Sequence, residues 1–162
     1  MAILIESVTS NENKYKICES ILNGLPLWFG LAESNKEYCE GVKEKPFFHV
    51  KNNDQSIGFA SIKRNNEDVL EIYVMGINEK YHNIGIGKRL IKEIIEYGVI
   101  NKYKYLEVKT LDESRESDEY RKTRLFYKRV GFIPFDVLYN EWGEDNPCLI
   151  MIMNIENKYE YK

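Results

Sequence analysis

The sequence predicts an α+β fold: one domain with a mixed central sheet of about seven strands, flanked by about four helices. Three observations point there. The 162 residues are the size of one domain, which buries roughly 68–70% of its unfolded surface. The apolar spacing is helical near the N-terminus, β-like through residues 46–77, and then strand-like and helix-like in turn. Hydrophobic residues make up 43% of the chain, with seven Phe, twelve Tyr and two Trp, which excludes a disordered polymer. Residues 1–155 read as the domain and 156–162 as a polar tail that frays.

Each element has its own signal. "AILI" (2–5) is a short strand. "NENKYKICESILNGL" (11–25) places Tyr15, Ile17, Cys18, Ile21, Leu22 and Leu25 close to helical spacing, and "PLWFG" (26–30) breaks it. "AESNKEYCEGV" (32–42) reads as a second helix. "PFFHVK" (46–51), "SIGFASIKR" (56–64) and "VLEIYVMGI" (69–77) are β-rich runs divided by "NNDQ" and "NNED", a meander with tight turns. A helix over 87–99 sets Leu90, Ile91, Ile94 and Ile95 on one face. "YKYLEVKTL" (103–111) is a strand. "SDEYRKTRLFYKRV" (117–130) is a helix with Ser117 as N-cap, Asp118 and Glu119 in the first turn, and Gly131 just past the end. "FIPFDVLY" (132–139) and "CLIMIMNI" (148–155) complete the sheet.

Composition narrows the function. A net charge of −3 with interspersed acids and bases argues against a nucleic-acid partner. The apolar start ends at Glu6, too short for a signal peptide, and no run approaches the roughly 18 residues of a membrane span. Cys18, Cys39 and Cys148 are far apart without CxxC pairing, as thiols of a reducing cytosol would be. The expected location is cytoplasmic.

The stretch "EKYHNIGIGKRLIKEII" (79–95) sets two glycines and two bases ahead of a helix. Glycine costs a helix about 0.5–1 kcal/mol relative to alanine, so its presence there asks for a reason. A dinucleotide fingerprint needs a glycine where Leu90 stands. A Walker A loop needs a glycine at His82 and Ser or Thr at Arg89, so both motifs fail. What remains, His82-x-x-Gly85-x-Gly87 after a strand and before a helix, resembles the acyl-CoA loop of the GNAT acetyltransferase superfamily, which usually opens on Gln or Arg. "EIYVMGINEKYHNIGIG" (71–87) resembles that family's fourth strand and turn. "RLFYKRVGF" (124–132) resembles its fourth-helix ending, with Tyr127 four residues before Gly131-Phe132. The order of elements matches from residue 2 to about 155.

The resemblance implies a set of roles. Backbone N–H groups of residues 83–88, at the helix start, would cradle the coenzyme A pyrophosphate. The loop members are His82, Asn83, Ile84, Gly85, Ile86, Gly87 and Lys88, with Gly85 and Gly87 giving close approach and positive φ, and Lys88 and Arg89 adding charge. The pantetheine arm would pair with Met75, Gly76 and Ile77. Glu71, six residues before Ile77, occupies the place of a glutamate that resembles the general base of histone acetyltransferases, and desolvation on an interior strand suits a carboxylate to that task. Tyr127 matches the usual general acid, while Tyr120 and Thr123 stand where the family often has Asn and Ala. Trp28, Phe29 and Trp142, in aromatic loops broken by Gly and Pro, are candidates for the acceptor wall. Glu107 and Lys109 share a sheet face and read as solvated strand charges. His49 reads as structural.

The expected activity is N-acetyl transfer from acetyl-CoA, as co-substrate and without a metal, to a primary amine of a small molecule or peptide. The amine would attack directly in a ternary complex. A non-catalytic acyl-CoA-sensing domain of the same fold is the alternative, transfer to a hydroxyl stays open, and so does a homodimer.

Overall fold

The computed structural model describes residues 1–158. Along the chain lie β1 (Ile3–Ser7), α1 (Asn11–Asn23), α2 (Ala32–Gly41), β2 (Phe47–Asn52), β3 (Gln55–Arg64), β4 (Val69–Ile77), α3 (Ile86–Ile100), β5 (Tyr105–Leu111), α4 (Asp118–Val130), β6 (Ile133–Leu138) and β7 (Cys148–Asn154). Single 3-10 turns occupy Val42–Glu44 and Glu79–Tyr81. The strands form a seven-stranded sheet in the order β1-β2-β3-β4-β5-β7-β6, so the expected mixed sheet with four helices is present. The β4–α3–β5 connection is of the length that a parallel crossover needs. Of the expected tail, residues 159–162 lie outside the described residues. Among the described residues no helix is long and apolar enough to cross a membrane.

The chain divides into two compact units, residues 1–63 with 72–94, and residues 64–71 with 95 onward. In the first, β1, β2 and β3 pair antiparallel, with Ile5 opposite Val50 and Phe48 opposite Ala60. Pairing with β2 carries β1 to Ser7, two residues past the run of apolar side chains that announces it. Ser10 caps α1 by accepting from the Asn13 N–H, and the helix stops at Asn23 because the Gly24 N–H turns back to the Ile21 carbonyl. Cys18, Ile21, Leu22 and Leu25 then pack with Val42, Phe47, Phe59 and Val74 into one core cluster, where Phe47 and Phe59 stack at 5.1 Å. Buried Lys14 donates to the carbonyls of Lys43 (3.3 Å) and Lys45 (2.7 Å), satisfying the end of the 3-10 turn. His49 is structural as expected: burial holds its pKa below the ordinary value, and Nε2 lies 2.8 Å from Ser56 Oγ.

In the second unit β7 pairs antiparallel with both β5 and β6, setting Glu107 opposite Ile152 and Lys109 opposite Ile150. β6 closes the sheet as an edge strand, bulged between Pro134 and Asp136, a shape that discourages further pairing. Ser117 accepts from the Tyr120 N–H and Gly131 ends α4 in the left-handed region at φ 115°, both as the sequence predicts. Buried Arg124 donates to the Leu111 carbonyl at the end of β5, fastening α4 to the strand that carries Glu107.

Candidate active site

The loop after β4 begins with a turn that the sequence motif did not reveal. Asn78 accepts from the Lys80 N–H to start the 3-10 turn, and His82 Nε2 lies 2.6 Å from the Ile77 carbonyl oxygen. A carbonyl only accepts, so Nε2 carries the proton and donates. Asn83 (φ 62°) and Gly85 (φ 88°) are both left-handed, and α3 starts at Ile86. The Arg89 N–H donates to the Gly85 carbonyl as the helix opens. The N–H groups of Ile86, Gly87 and Lys88 precede that bond and have no acceptor within the helix. They form the positive end of a 15-residue helix. A Cβ built on Gly85 would meet nothing within 4 Å, so glycine is required there by φ, and the space over it is open to an anion.

Three readings of this segment change. Gly87 lies in the first turn of α3 and is not among the glycines with positive φ, so of the two loop glycines Gly85 alone supplies that conformation, alongside Asn83. Gly76 serves packing: a Cβ there would come within 3.1 Å of both Ile21 and Leu25 of α1, so the missing side chain makes room for the helix. Arg89 reaches away, its Nη2 donating to the Ile3 carbonyl at 3.4 Å, while Lys88 is exposed. Ile86 is buried and Ile84 is half exposed; Ile77 is nearly buried and Met75 partly so. Trp28 meets His82 edge-on, ring centroids 5.4 Å apart, and Phe29 meets Tyr38 edge-on at 6.1 Å; both pack against the α1–α2 core cluster.

In the second unit Glu71 is 5% exposed. Asn65, in the β3–β4 turn, donates from one nitrogen to Glu71 Oε1 (2.9 Å) and Glu107 Oε2 (3.1 Å). Burial and a hydrogen bond with Glu71 push the Glu107 carboxyl up to about 7, against the pull of Lys109 and Asn65. Two carboxyls joined by a hydrogen bond hold one proton between them. Lys109 Nζ stands 3.8 Å from Glu71 and 3.3 Å from Glu141. Burial disfavours its charge, yet the Glu71 and Glu141 carboxylates raise its pKa above the ordinary value. Glu107 and Lys109, both half-buried, are therefore members of a network around buried Glu71 and not freely solvated strand charges. Alternation along β5 placed them on one face, but nothing in the sequence states that this face meets Glu71.

Tyr127 is 8% exposed, its ring against Phe126 and Phe132, each with centroids 5.4 Å away. Tyr120 is half-buried on the same helix, and desolvation raises its pKa. Trp142 is 38% exposed in the loop between β6 and β7, beside Glu141. Arg115 anchors that loop by donating to the Asp145 carbonyl (2.8 Å) and to Asn146 (2.5 Å).

The family model for the acetyltransferase (GNAT) domain matches residues 43–134, more than half of the chain, and spans β4, the loop and Tyr127. The chain belongs to the GNAT acetyltransferase family. Solved structures agree on the GNAT fold at low identity. A GNAT family acetyltransferase from Desulfovibrio desulfuricans superposes with a TM-score of 0.81 at 15% identity, covering 95% of this chain and 99% of that one. The aminoglycoside 6'-N-acetyltransferase from Enterococcus faecium gives 0.72 at 19% identity, covering 94% and 97%. A GNAT acetyltransferase from Elizabethkingia anophelis, solved with acetyl-CoA bound, gives 0.67 at 20%, covering 94% and 97%. No curated protein matches the sequence.

Proposed function

We propose that this GNAT protein transfers the acetyl group of acetyl-CoA to a primary amine. The loop of residues 82–88 supports the acetyl-CoA half of that reading, because it offers helix N–H groups and open space over Gly85 to the pyrophosphate. The backbone of Met75, Gly76 and Ile77 is the proposed partner of the pantetheine arm. The observation that favours an enzyme over a sensing domain is the hydrogen-bonded Glu71–Glu107 pair, since a domain that only binds acyl-CoA has no use for a proton acceptor poised near neutrality.

An amine reaches the enzyme as an ammonium and attacks only when neutral. In the proposed reaction the carboxyl pair, its shared proton lost, takes one proton from the ammonium and holds it between the two carboxyls. The nitrogen lone pair forms the C–N bond at the thioester carbonyl, and the electron pair of the breaking C–S bond leaves on sulfur. The Tyr127 hydroxyl donates its proton to that sulfur and regains one from solvent, as the nitrogen gives up its remaining extra proton. A thiol pKa of about 8.5 and a tyrosine pKa of about 10 make this a transfer that a positioned donor assists. Trp28, Phe29 and Trp142 are each proposed as acceptor-binding residues.

Thiol release from acetyl-CoA across a library of amines, with mass spectrometry of the products, tests the proposal. N-acetylated product is expected, and Glu71→Gln should lower turnover more than acetyl-CoA affinity. Acetyl-CoA binding without thiol release for any amine would instead establish the sensing domain.

A further inference from the structure

His82 makes two contacts that no loop motif specifies. Through Nε2 it donates to the carbonyl of Ile77, the last residue of β4, over 2.6 Å, closing the turn that leads into the loop. Its ring also receives Trp28 edge-on, at 5.4 Å and an interplanar angle of 77°. Trp28 belongs to the segment "PLWFGL" (26–31), which is held at Phe29, whose N–H donates to the Leu25 carbonyl and whose carbonyl accepts from Asn35. Leu27 and Leu31 in that segment are 60% and 71% exposed, so it presents apolar side chains to solvent around one anchored indole.

We infer that His82 is a positioning residue that couples acetyl-CoA binding to the order of residues 26–31. One imidazole fixes the strand end and the first residue of the cradle, and the same ring sets the position of Trp28. A ligand that draws the loop of residues 82–88 into one arrangement therefore also selects the arrangement of Trp28, and the coupling runs equally in the other direction. Glutamine at this position keeps a donor of similar reach for the Ile77 carbonyl but loses the aromatic face. The two contacts can thus be separated by substitution. The inference rests on the proposed acetyl-CoA site and adds to it a route by which the acceptor side senses the bound co-substrate.

The test uses the full chain with Trp142→Phe, which leaves Trp28 as the single indole, and titrates coenzyme A and acetyl-CoA. Trp28 emission should change on binding. His82→Ala in the same background should abolish that change and weaken binding about tenfold, the loss of roughly one hydrogen bond. His82→Gln should restore affinity without restoring the emission change. In turnover assays on the otherwise native chain, His82→Ala should raise the KM for acetyl-CoA while kcat stays within about twofold. A folded His82→Ala variant with unaltered affinity and an intact Trp28 response would overturn the coupling. Failure of the native chain to bind acetyl-CoA at all would overturn the site itself, a different result from loss confined to the His82 variants.

Discussion

Glu107 gives the clearest residue-level consequence. Its carboxyl, raised to about 7 from an ordinary 4.5, binds a proton more tightly in the folded than in the unfolded chain. That contribution to stability is complete below the unfolded value and is lost as pH rises through the folded one. The urea midpoint should therefore decline between roughly pH 5 and pH 8, and Glu107→Gln should flatten the decline. His49, lowered by burial, acts in the opposite sense at acid pH and is common to both proteins, so it cancels in the comparison. At Tyr127 the ring packs against Phe126 and Phe132, and the hydroxyl is the proposed proton donor: Tyr127→Phe should melt as the native chain does, with kcat down by roughly 10²-fold and the KM values little changed. Gly85→Val places a β-branched residue at φ 88°, so it should cost about 1–3 kcal/mol in urea unfolding and weaken acetyl-CoA binding in calorimetry. The positions of Glu71, Tyr127 and Gly85 were legible because each belongs to a short local pattern. The partnership of Glu107 was not, because a cross-strand neighbour leaves no mark in its own strand.

Among the elements, β4 runs over the predicted residues 69–77, and both ends of α4 stand where Ser117 and Gly131 predict them. Alternation and capping are local physics, set by a residue and its neighbours within a turn. Gly76 is the contrary case. The resemblance gives it only a place beside the pantetheine arm, and the structure adds that its empty side faces Ile21 and Leu25. Gly76→Val should therefore force α1 off β4 and lower the melting temperature, at a cost of about 1–3 kcal/mol. A variant that melts normally but binds acetyl-CoA weakly would return Gly76 to the ligand. The helix α1 itself ends two residues before the expected position, since apolar spacing continues through Leu25 while the backbone has already turned at Gly24.

For the whole molecule, a ligand that binds only the folded chain adds stability by mass action. Acetyl-CoA at 100 times its dissociation constant should add about 2.7 kcal/mol and raise the melting temperature by about 5–10 °C, measured by calorimetry. Gly85→Val should remove most of that rise. The order of strands and helices, the glycine loop before α3 and the tyrosine before Gly131-Phe132 were all readable from the sequence, because each depends on periodicity, backbone conformation or spacing within about twenty residues. Only the tertiary structure decided that Asn65 bridges Glu71 and Glu107, that Trp28 lies against His82, and that Gly76 makes room for a helix. These pairings join residues 6 to 55 positions apart, and their chemistry comes from desolvation and contact, which exist only once the chain has folded.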